Sequence, residues 1–329
     1  MNTVKFSVCL LILLAREFCL PHTGLAQVFR HFSDNEGAPQ SFIYSISQDS
    51  LRFMWYASTG GLFRYNASNF KVFKHLPGDP ASLPSTYTTA VFCDSRGALW
   101  VCSLGGLSKY DSKNETFRTY KPDKKAAGSI STVEVNCIAE DKQKNIWVGT
   151  MSGLERVETK NGRTSFTHFL QTRPGEPRYV VRGIATGAKN ELWLATSRGL
   201  VMLDGDTQKV FTVRPDPRLP ATNNFAQIYN DRSGRLWLGL KTGGLMQFDI
   251  STHEFRLIEN FTDANGGWPV ISSFTPGEDG RIWIATMSGL VDFDKNNQKS
   301  QWYMNDPADD RSLANNAILS MFRDREGGL

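Results

Sequence analysis

The sequence predicts an all-β fold, a β-propeller of four-stranded blades, and three observations support this prediction. Six tryptophans recur at nearly constant spacing, each lies in the same local sequence, and short apolar segments alternate with turn residues between them. The intervals between the tryptophans are 45, 47, 46, 44 and 46 residues, which is the length of one propeller blade. The six repeat positions are Trp55, Trp100, Trp147, Trp193, Trp237 and Trp283.

Each repeat begins with a short apolar segment about ten residues before its tryptophan, such as Val135 to Ile138. Small residues, among them Cys137 and Gly183, stand within these segments, as expected for inner strands that crowd around a central axis. The shared sequence continues with Asp-x-x-Gly, in which the Asp side chain caps a tight turn and the glycine adopts a positive φ. An inner strand and a turn are therefore predicted before each tryptophan strand.

The tryptophan strand leads into two further predicted strands. A glycine opens the next turn, and a leucine then begins a third strand, as at Gly153 and Leu154. A fourth, outer strand carries aromatic residues, for example Phe117 and Tyr120 in the second repeat. The indoles are expected to fill the space between neighbouring sheets. Four short strands in each repeat are the unit of a propeller blade.

Both ends of the repeat array carry partial repeats. Phe29-Arg-His-Phe32 resembles the outer-strand sequence but precedes the first inner strand, an arrangement that closes a propeller ring. Asn316 to Leu329 matches the inner strand and turn of a seventh repeat, whose tryptophan is expected directly after Leu329. We therefore expect six full repeats and the start of a seventh, an incomplete seven-bladed ring in a truncated chain.

Residues 1–26 are predicted to be a signal peptide. Lys5 precedes an apolar run from Phe6 to Ala15, and Gly24-Leu25-Ala26 forms a small-x-small cleavage sequence. The run is too short for a membrane span, which needs about 20 apolar residues. An uncleaved anchor and a buried core segment are the alternatives. We expect the propeller to occupy residues 27–329 and to be periplasmic or otherwise extracytoplasmic.

Charge and cysteine content argue against a nucleic-acid-binding protein and against a disulfide-stabilised one. The 37 basic and 33 acidic residues give a formal net charge of +4, and the basic residues are scattered, so no nucleic-acid partner is expected. Cleavage leaves Cys93, Cys102 and Cys137, an odd number that argues against a disulfide framework. Cys93 and Cys102 flank one hairpin, but we expect buried free thiols because cross-strand disulfides fit β geometry poorly.

The shared sequence, close to Asp-x-x-Gly-x-Ile-Trp-Val-Gly-Thr-x-x-Gly-Leu-x-x-Tyr-Asp, resembles the two-component regulator propeller repeat over residues 29–329. The resemblance implies the periplasmic sensor region of a hybrid two-component system of the Bacteroidetes type. It also implies a longer parent with further propeller and sandwich domains, a membrane helix that anchors it in the inner membrane, and a histidine kinase. Ser103 and Leu240 depart from the repeat's Thr, and Cys102 departs from its Gly or Ala.

No catalytic, cofactor or metal motif stands out from the repeat. The histidines do not pair at ligand spacing, and the acidic turns lack the alternating oxygens of a calcium loop. A hydrolase would need carboxylates that break the repeat, and the candidates are Glu134, Glu140 and Glu155. Glu140 adjoins a turn where acidic residues recur for structural reasons, so it is a weak candidate for a catalytic carboxylate. We therefore expect no enzyme activity in this chain, and the lack of cofactor and metal motifs predicts no cofactor.

The segments that enter the inner strands vary in sequence while the blade bodies repeat. Propellers bind partners where such loops converge on the channel, and aromatic, Arg and Asn side chains together suit an oligosaccharide. The predicted ligand-binding residues are Tyr44, Tyr87, Asn136, Arg178, Tyr179, Arg182 and Trp268. The alternative is that they are ordinary loop residues. Trp268, outside the tryptophan repeat, is expected either as an exposed binding residue or packed beneath its loop.

Three functional hypotheses follow from these patterns. The first is an extracytoplasmic propeller of a hybrid histidine kinase that senses glycans. The second is a stand-alone secreted propeller that binds carbohydrate or protein, and the third is a propeller lyase or glycosidase. A homodimer is a further expectation.

Overall fold

The computed structural model describes residue 29 and residues 41–172, 175–213 and 223–329. Within these residues the chain is an all-β propeller of six four-stranded antiparallel sheets and contains no helix. The predicted signal peptide and the segment from Arg30 to Phe32 lie outside the described residues, so the signal peptide stays a prediction. No helix in the described part has the length and apolar character to span a membrane.

Each blade consists of four consecutive strands, ordered from the inner strand at the axis to the outer strand at the rim. Blades 1 to 3 contain β1 (Ile43–Gln48), β2 (Met54–Ser58), β3 (Gly61–Tyr65), β4 (Phe70–Phe73), β5 (Thr88–Cys93), β6 (Leu99–Ser103), β7 (Gly106–Asp111), β8 (Thr116–Tyr120), β9 (Val135–Glu140), β10 (Ile146–Thr150), β11 (Gly153–Lys160) and β12 (Arg163–Phe169). Blades 4 to 6 contain β13 (Val181–Thr186), β14 (Leu192–Thr196), β15 (Gly199–Asp204), β16 (Thr207–Phe211), β17 (Phe225–Asn230), β18 (Arg235–Leu240), β19 (Leu245–Asp249), β20 (Phe255–Leu257), β21 (Ile271–Pro276), β22 (Arg281–Thr286), β23 (Gly289–Asp294) and β24 (Lys299–Tyr303).

An aspartate fixes both the turn and the tryptophan in four blades. In blade 3, one carboxylate oxygen of Asp141 accepts the backbone N–H groups of Gln143 and Asn145, each at 2.9 Å. The other oxygen accepts the indole N–H of Trp147 at 2.8 Å. The same bond from indole to carboxylate joins Trp55 to Asp49, Trp100 to Asp94 and Trp237 to Asp231. One side chain therefore satisfies the turn and orients the indole.

The tryptophans pack between neighbouring blades, as the sequence predicts. The ring centroid of Trp55 lies 5.0 Å from that of Tyr110 in blade 2, and Trp237 lies 5.3 Å from Phe293 in blade 6. The first five repeat tryptophans are at most 6% exposed. Trp283 is only half-buried and packs at an interplanar angle of 44° against Tyr303 of its own blade.

The chain after β24 continues around the ring without forming a strand within the described residues. The N–H of Ile318 donates to the carbonyl of Thr286 in blade 6 at 2.9 Å. The hydroxyl of Ser320 donates to the carbonyl of Ile43 in blade 1 at 3.1 Å. The segment therefore contacts both blades, although the inner strand expected from Asn316 onward makes no ladder with a second strand.

Phe29 lies at the rim of the same junction. Its N–H donates to the carbonyl of Arg311 at 3.1 Å, and its ring packs edge-on against Tyr303 at 6.0 Å. Phe117 in the outer strand of blade 2 makes the same kind of bond to the carbonyl of Ala81, at 2.7 Å. Phe29 therefore takes the contacts of an outer-strand phenylalanine.

The three described cysteines are free thiols. Cys93 pairs in register with Leu99 and Cys102 pairs with Ala90, so the two cysteines are not directly opposite each other across their hairpin. Burial raises the pKa of Cys102 and raises the pKa of Cys137 to about 12. Both thiols therefore stay protonated at neutral pH.

Candidate functional site

The predicted ligand-binding residues lie in or just before the inner strands, on the side of the propeller where those strands begin. We call this side the entry face. It also carries the hairpins between the second and third strands, because strand direction alternates within each blade. The two features are joined, since the N–H of Leu104 in a hairpin donates to the carbonyl of Tyr87 at 3.2 Å.

Three of the predicted residues occupy one structural position. Each inner strand has a register shift near its start, which leaves its second residue outside the ladder. Tyr44, Asn136 and Arg182 are these second residues in blades 1, 3 and 4. A bulge of this kind redirects the side chain that it carries. The repeat therefore builds one variable position into every inner strand.

Asn136 and Arg182 use this position to tie blades together. The side-chain N–H of Asn136 donates to the carbonyl of Val181 in blade 4 at 3.1 Å. The guanidinium of Arg182 donates to the side-chain oxygen of Asn224 at 2.8 Å and to the carbonyl of Phe225 at 3.3 Å. Burial lowers the pKa of Arg182. These contacts give both residues a structural role, and their binding of a ligand stays a prediction.

Tyr44 and Tyr87 are brought together across the boundary between blades 1 and 2. Their rings stack with centroids 5.5 Å apart and planes 23° apart, and the Tyr87 hydroxyl donates to the Tyr44 hydroxyl at 2.8 Å. Burial, followed by the hydrogen bond to Tyr44, raises the pKa of Tyr87 to about 12. Both side chains are half-buried. The pair therefore forms a neutral aromatic surface that also carries hydroxyl groups.

Arg178 and Tyr179 precede the inner strand of blade 4. The guanidinium of Arg198 lies over the Tyr179 ring at 4.4 Å, a cation–π contact. Arg178 is exposed, and its guanidinium reaches the Ser152 hydroxyl of blade 3 at 3.4 Å. This loop and the hairpin between β14 and β15 therefore add one ring and two positive charges to the entry face.

Trp268 is half-buried and packs against the core between blades 4 and 5. Its backbone carbonyl and its ring lie so close to Gly243 and Gly244 that a Cβ on Gly243 would meet the carbonyl at 2.2 Å. Of the two expectations for Trp268, the structure therefore matches packing beneath the loop. No hydrogen bond or ring contact among the described residues joins Trp268 to the tyrosine pair.

Two of the three carboxylates considered for hydrolysis are held in contacts within the fold, while Glu134 is exposed. Glu155 is 1% exposed, accepts the N–H of Ser131 at 3.2 Å and is hydrogen-bonded to His168. Glu140 accepts the hydroxyl and the N–H of Ser95, each at 2.8 Å. Across the described ranges, no three His, Cys, Asp or Glu side chains are grouped as metal ligands.

Sequence reasoning missed a second surface, on the side of the propeller opposite the entry face. A basic residue stands nine positions after the tryptophan in the first three repeats, at Arg64, Lys109 and Arg156. In the structure each is paired in register with its tryptophan. This regular basic position was a sequence signal for the surface.

One family model matches the chain. Residues 129–152, which contain β9 and β10 of blade 3, match the two component regulator propeller. A comparison with curated protein sequences finds no match.

Several solved structures share the fold. The extracellular domain of the hybrid two component system BT3049 from B. thetaiotaomicron has a TM-score of 0.76 and 23% identity, covering 92% of this chain and 40% of that chain. The extracellular domain of the hybrid two component system BT4673 from B. thetaiotaomicron has a TM-score of 0.71 and 21% identity, covering 88% and 37%. Virginiamycin B lyase from Staphylococcus aureus is more distant, with a TM-score of 0.58 and 15% identity, covering 80% and 84%. These identities show the fold alone, and this chain spans about two fifths of the first two structures.

Proposed function

We propose that this chain, which carries the two component regulator propeller repeat, is a ligand-sensing domain of a hybrid two-component system and acts outside the cytoplasm. The repeat match over residues 129–152 supports this proposal. The shared fold with two extracellular domains of B. thetaiotaomicron systems supports it further. In this proposal the chain binds a ligand and performs no catalysis.

The proposed ligand is a neutral oligosaccharide bound at the entry face, and the tyrosine pair is the observation that carries this assignment. Sugar rings present apolar C–H faces that stack on aromatic rings, while their hydroxyls need hydrogen-bonding groups nearby. Tyr44 and Tyr87 supply both, because their half-buried rings adjoin and their hydroxyls are within hydrogen-bonding distance. Few polar groups on a largely preformed surface are typical of small-ligand sites.

Calorimetric titration with a panel of neutral plant and host oligosaccharides tests this site. We expect at least one sugar to bind. Tyr44→Ala and Tyr87→Ala should each strongly weaken the binding of that sugar. Tyr87→Phe, which removes only the hydroxyl, should also weaken binding. Tyr120→Phe is its matched control, because the Tyr120 hydroxyl hydrogen-bonds to Thr164 in the outer strands, at 3.0 Å. The absence of binding across the panel, or binding unchanged in both alanine variants, would reject the glycan site.

We also propose that residues 315–329 and Phe29 are the inner and outer parts of a seventh blade. Asp324 supports this, because it accepts the N–H groups of Glu326 at 3.0 Å and Gly328 at 2.7 Å. Asp94 makes the equivalent bonds at 3.0 and 2.8 Å in blade 2. An apolar cavity of about 630 Å³ separates the two parts, and it is lined by residues such as Phe29, Ile43, Leu290, Leu319 and Leu329.

The second and third strands of a seventh blade would fill this cavity. Adding the sequence of residues 283–294, which holds the corresponding part of repeat 6, directly after Leu329 is expected to raise the melting temperature and to reduce aggregation. The control carries the same added residues with Ser in place of the first Trp. An extended chain that melts no higher than this control would reject the seventh blade.

A further inference from the structure

A charged cleft lies between blades 2 and 3 on the side opposite the entry face. We call this side the turn face, because it carries the turns between inner and second strands. The cleft is a cavity of about 650 Å³, within the range of roughly 300–1,000 Å³ for small-molecule sites. Trp100 and Lys109 of blade 2 line it, together with Arg156 and Val157 of blade 3.

The side chains that line this cleft include five basic residues, Arg96, Lys109, Lys144, Arg156 and Lys160. Only two carboxylates line it, and both are already occupied. Asp94 is buried and accepts the indole N–H of Trp100 and two backbone N–H groups. Glu158 accepts hydrogen bonds from Arg156 and Thr167 and lies 3.5 Å from the Lys160 ammonium.

Three of the five cations are left without a carboxylate. Among the described residues, no acidic oxygen forms an ion pair with Arg96, Lys109 or Lys144. The Lys109 ammonium lies over the Trp100 ring at 5.3 Å. One arm of the Arg96 guanidinium donates to the carbonyl of Lys144 at 2.5 Å. Two of these cations are therefore held in place in the absence of a ligand.

The neighbouring boundary between blades 1 and 2 shows how the propeller neutralises the same position. Arg64 there is the counterpart of Lys109, and its guanidinium pairs with Glu115 at 3.0 Å. Glu115 also forms an ion pair with Lys71 of β4, the strand that pairs with the strand of Arg64. Between blades 2 and 3 the outer hairpin of blade 3 instead contributes Lys160 to the cleft. The missing carboxylate therefore distinguishes this boundary from the one between blades 1 and 2.

We infer that the cleft between blades 2 and 3 binds a small anionic ligand that carries at least two carboxylate or sulfate groups. Like charges in a narrow cleft repel one another, and two such groups would remove the repulsion among Arg96, Lys109 and Lys144. Hydrogen bonds from ionised donors to carboxylate or sulfate oxygens are the strongest that side chains offer. The inference rests on the charge of the cleft and does not depend on the entry-face site.

Calorimetric titration with digalacturonate, a sulfated disaccharide, inorganic sulfate and neutral cellobiose tests the inference. We expect the charged sugars to bind and Lys109→Gln and Arg96→Gln each to weaken that binding about tenfold. Lys209→Gln is the matched control, because Lys209 also lies over an aromatic ring, Phe211, at 4.8 Å, but outside the cleft. Binding of the charged sugars should weaken as salt rises, because the cations are partly solvated.

Three outcomes would overturn the inference. They are no saturable binding of either charged sugar, equal losses in Lys209→Gln and Lys109→Gln, and binding of inorganic sulfate without binding of the sugars. Arg96 is exposed, so Arg96→Gln keeps the test valid if Lys109→Gln folds poorly. Tyr44→Ala should leave the charged sugars bound, which separates this inference from the proposed entry-face site.

Discussion

Two junctions of the ring differ in how they cover a tryptophan. Between blades 5 and 6, Trp237 is 0% exposed and packs on Phe293, a third-strand residue of the next blade. After blade 6, Trp283 is half-buried, and its ring contact is with Tyr303 of its own blade. The two blades share the same strand order and local sequence. Burial of each indole therefore depends on the third strand of the following blade.

We call the junction between blades 5 and 6 closed and the junction after blade 6 open. Replacing their tryptophans by alanine should give the largest difference in unfolding free energy between the two junctions. Trp237→Ala leaves a cavity in a packed core and should cost about 3–5 kcal/mol of unfolding free energy. Trp283→Ala removes a partly exposed ring and should cost roughly 1–2 kcal/mol. Urea unfolding of both variants measures the difference. Equal losses would show that Trp283 is covered as well as Trp237.

The turn aspartates offer the next comparison. Burial acts to raise the pKa of Asp141, but hydrogen bonds from Trp147, Asn145 and backbone N–H groups outweigh it and lower the pKa. A lowered pKa stabilises the fold above the unfolded value of about 3.9 and loses that stability as pH falls. Asp141→Asn should therefore cost about 1–3 kcal/mol at neutral pH and less in acid.

Asp324→Asn is the control for this change, because Asp324 binds its turn but no indole among the described residues. We expect it to shift stability much less than Asp141→Asn. Unfolding free energies measured between pH 3 and pH 7 compare the two. A loss at Asp324 as large as at Asp141 would mean that the turn bonds, and not the indole bond, dominate.

Phe29→Ala probes the rim of the open junction. The ring packs edge-on against Tyr303, and such aromatic pairs contribute about 0.5–1.5 kcal/mol beyond their burial. We expect a loss of about 1–2 kcal/mol, smaller than that of Phe117→Ala in the closed rim of blade 2. Thermal unfolding of the two variants tests this order, and the reverse order would contradict it.

The smallest effect on stability is expected at the tyrosine pair. Tyr44→Phe removes the acceptor of the Tyr87 hydroxyl and should lower the pKa of Tyr87 from about 12 toward its ordinary value. Because the folded pKa is raised, the associated stability is present below pH 10 and is lost as pH rises toward 12. Ultraviolet titration of phenolate formation follows the change. An unchanged titration would mean that burial alone raises the pKa of Tyr87.

The blade bodies could be predicted from the sequence because their determinants are local and repeated. The spacing of six residues between Asp141 and Trp147 recurs in the four blades whose indole donates to an aspartate, and it was available as a signal for that bond. The predicted entry-face residues were less accessible to such reasoning. Whether Asn136 or Arg182 faces a ligand or a neighbouring carbonyl depends on the bulge and on the next blade, which no local pattern records.

The basic cleft was missed for a related reason. Arg64, Lys109 and Arg156 look equivalent in the sequence, and only the structure shows that Glu115 and Glu158 neutralise two of them. Glu115 lies 51 residues beyond Arg64, on the next blade. An unpaired charge is thus a property of two neighbouring blades, whereas the repeat pattern describes one blade at a time.

The bond from Phe29 to Arg311 has a consequence for folding. It joins residues about 280 positions apart, and closing a loop of that length costs about 5 kcal/mol of chain entropy relative to a single-residue step. Blades 1 to 6 consist of hairpins between consecutive strands, which form through short-range contacts. Circularisation of the ring is therefore expected to be the last and slowest event, and the first to reverse when the protein unfolds.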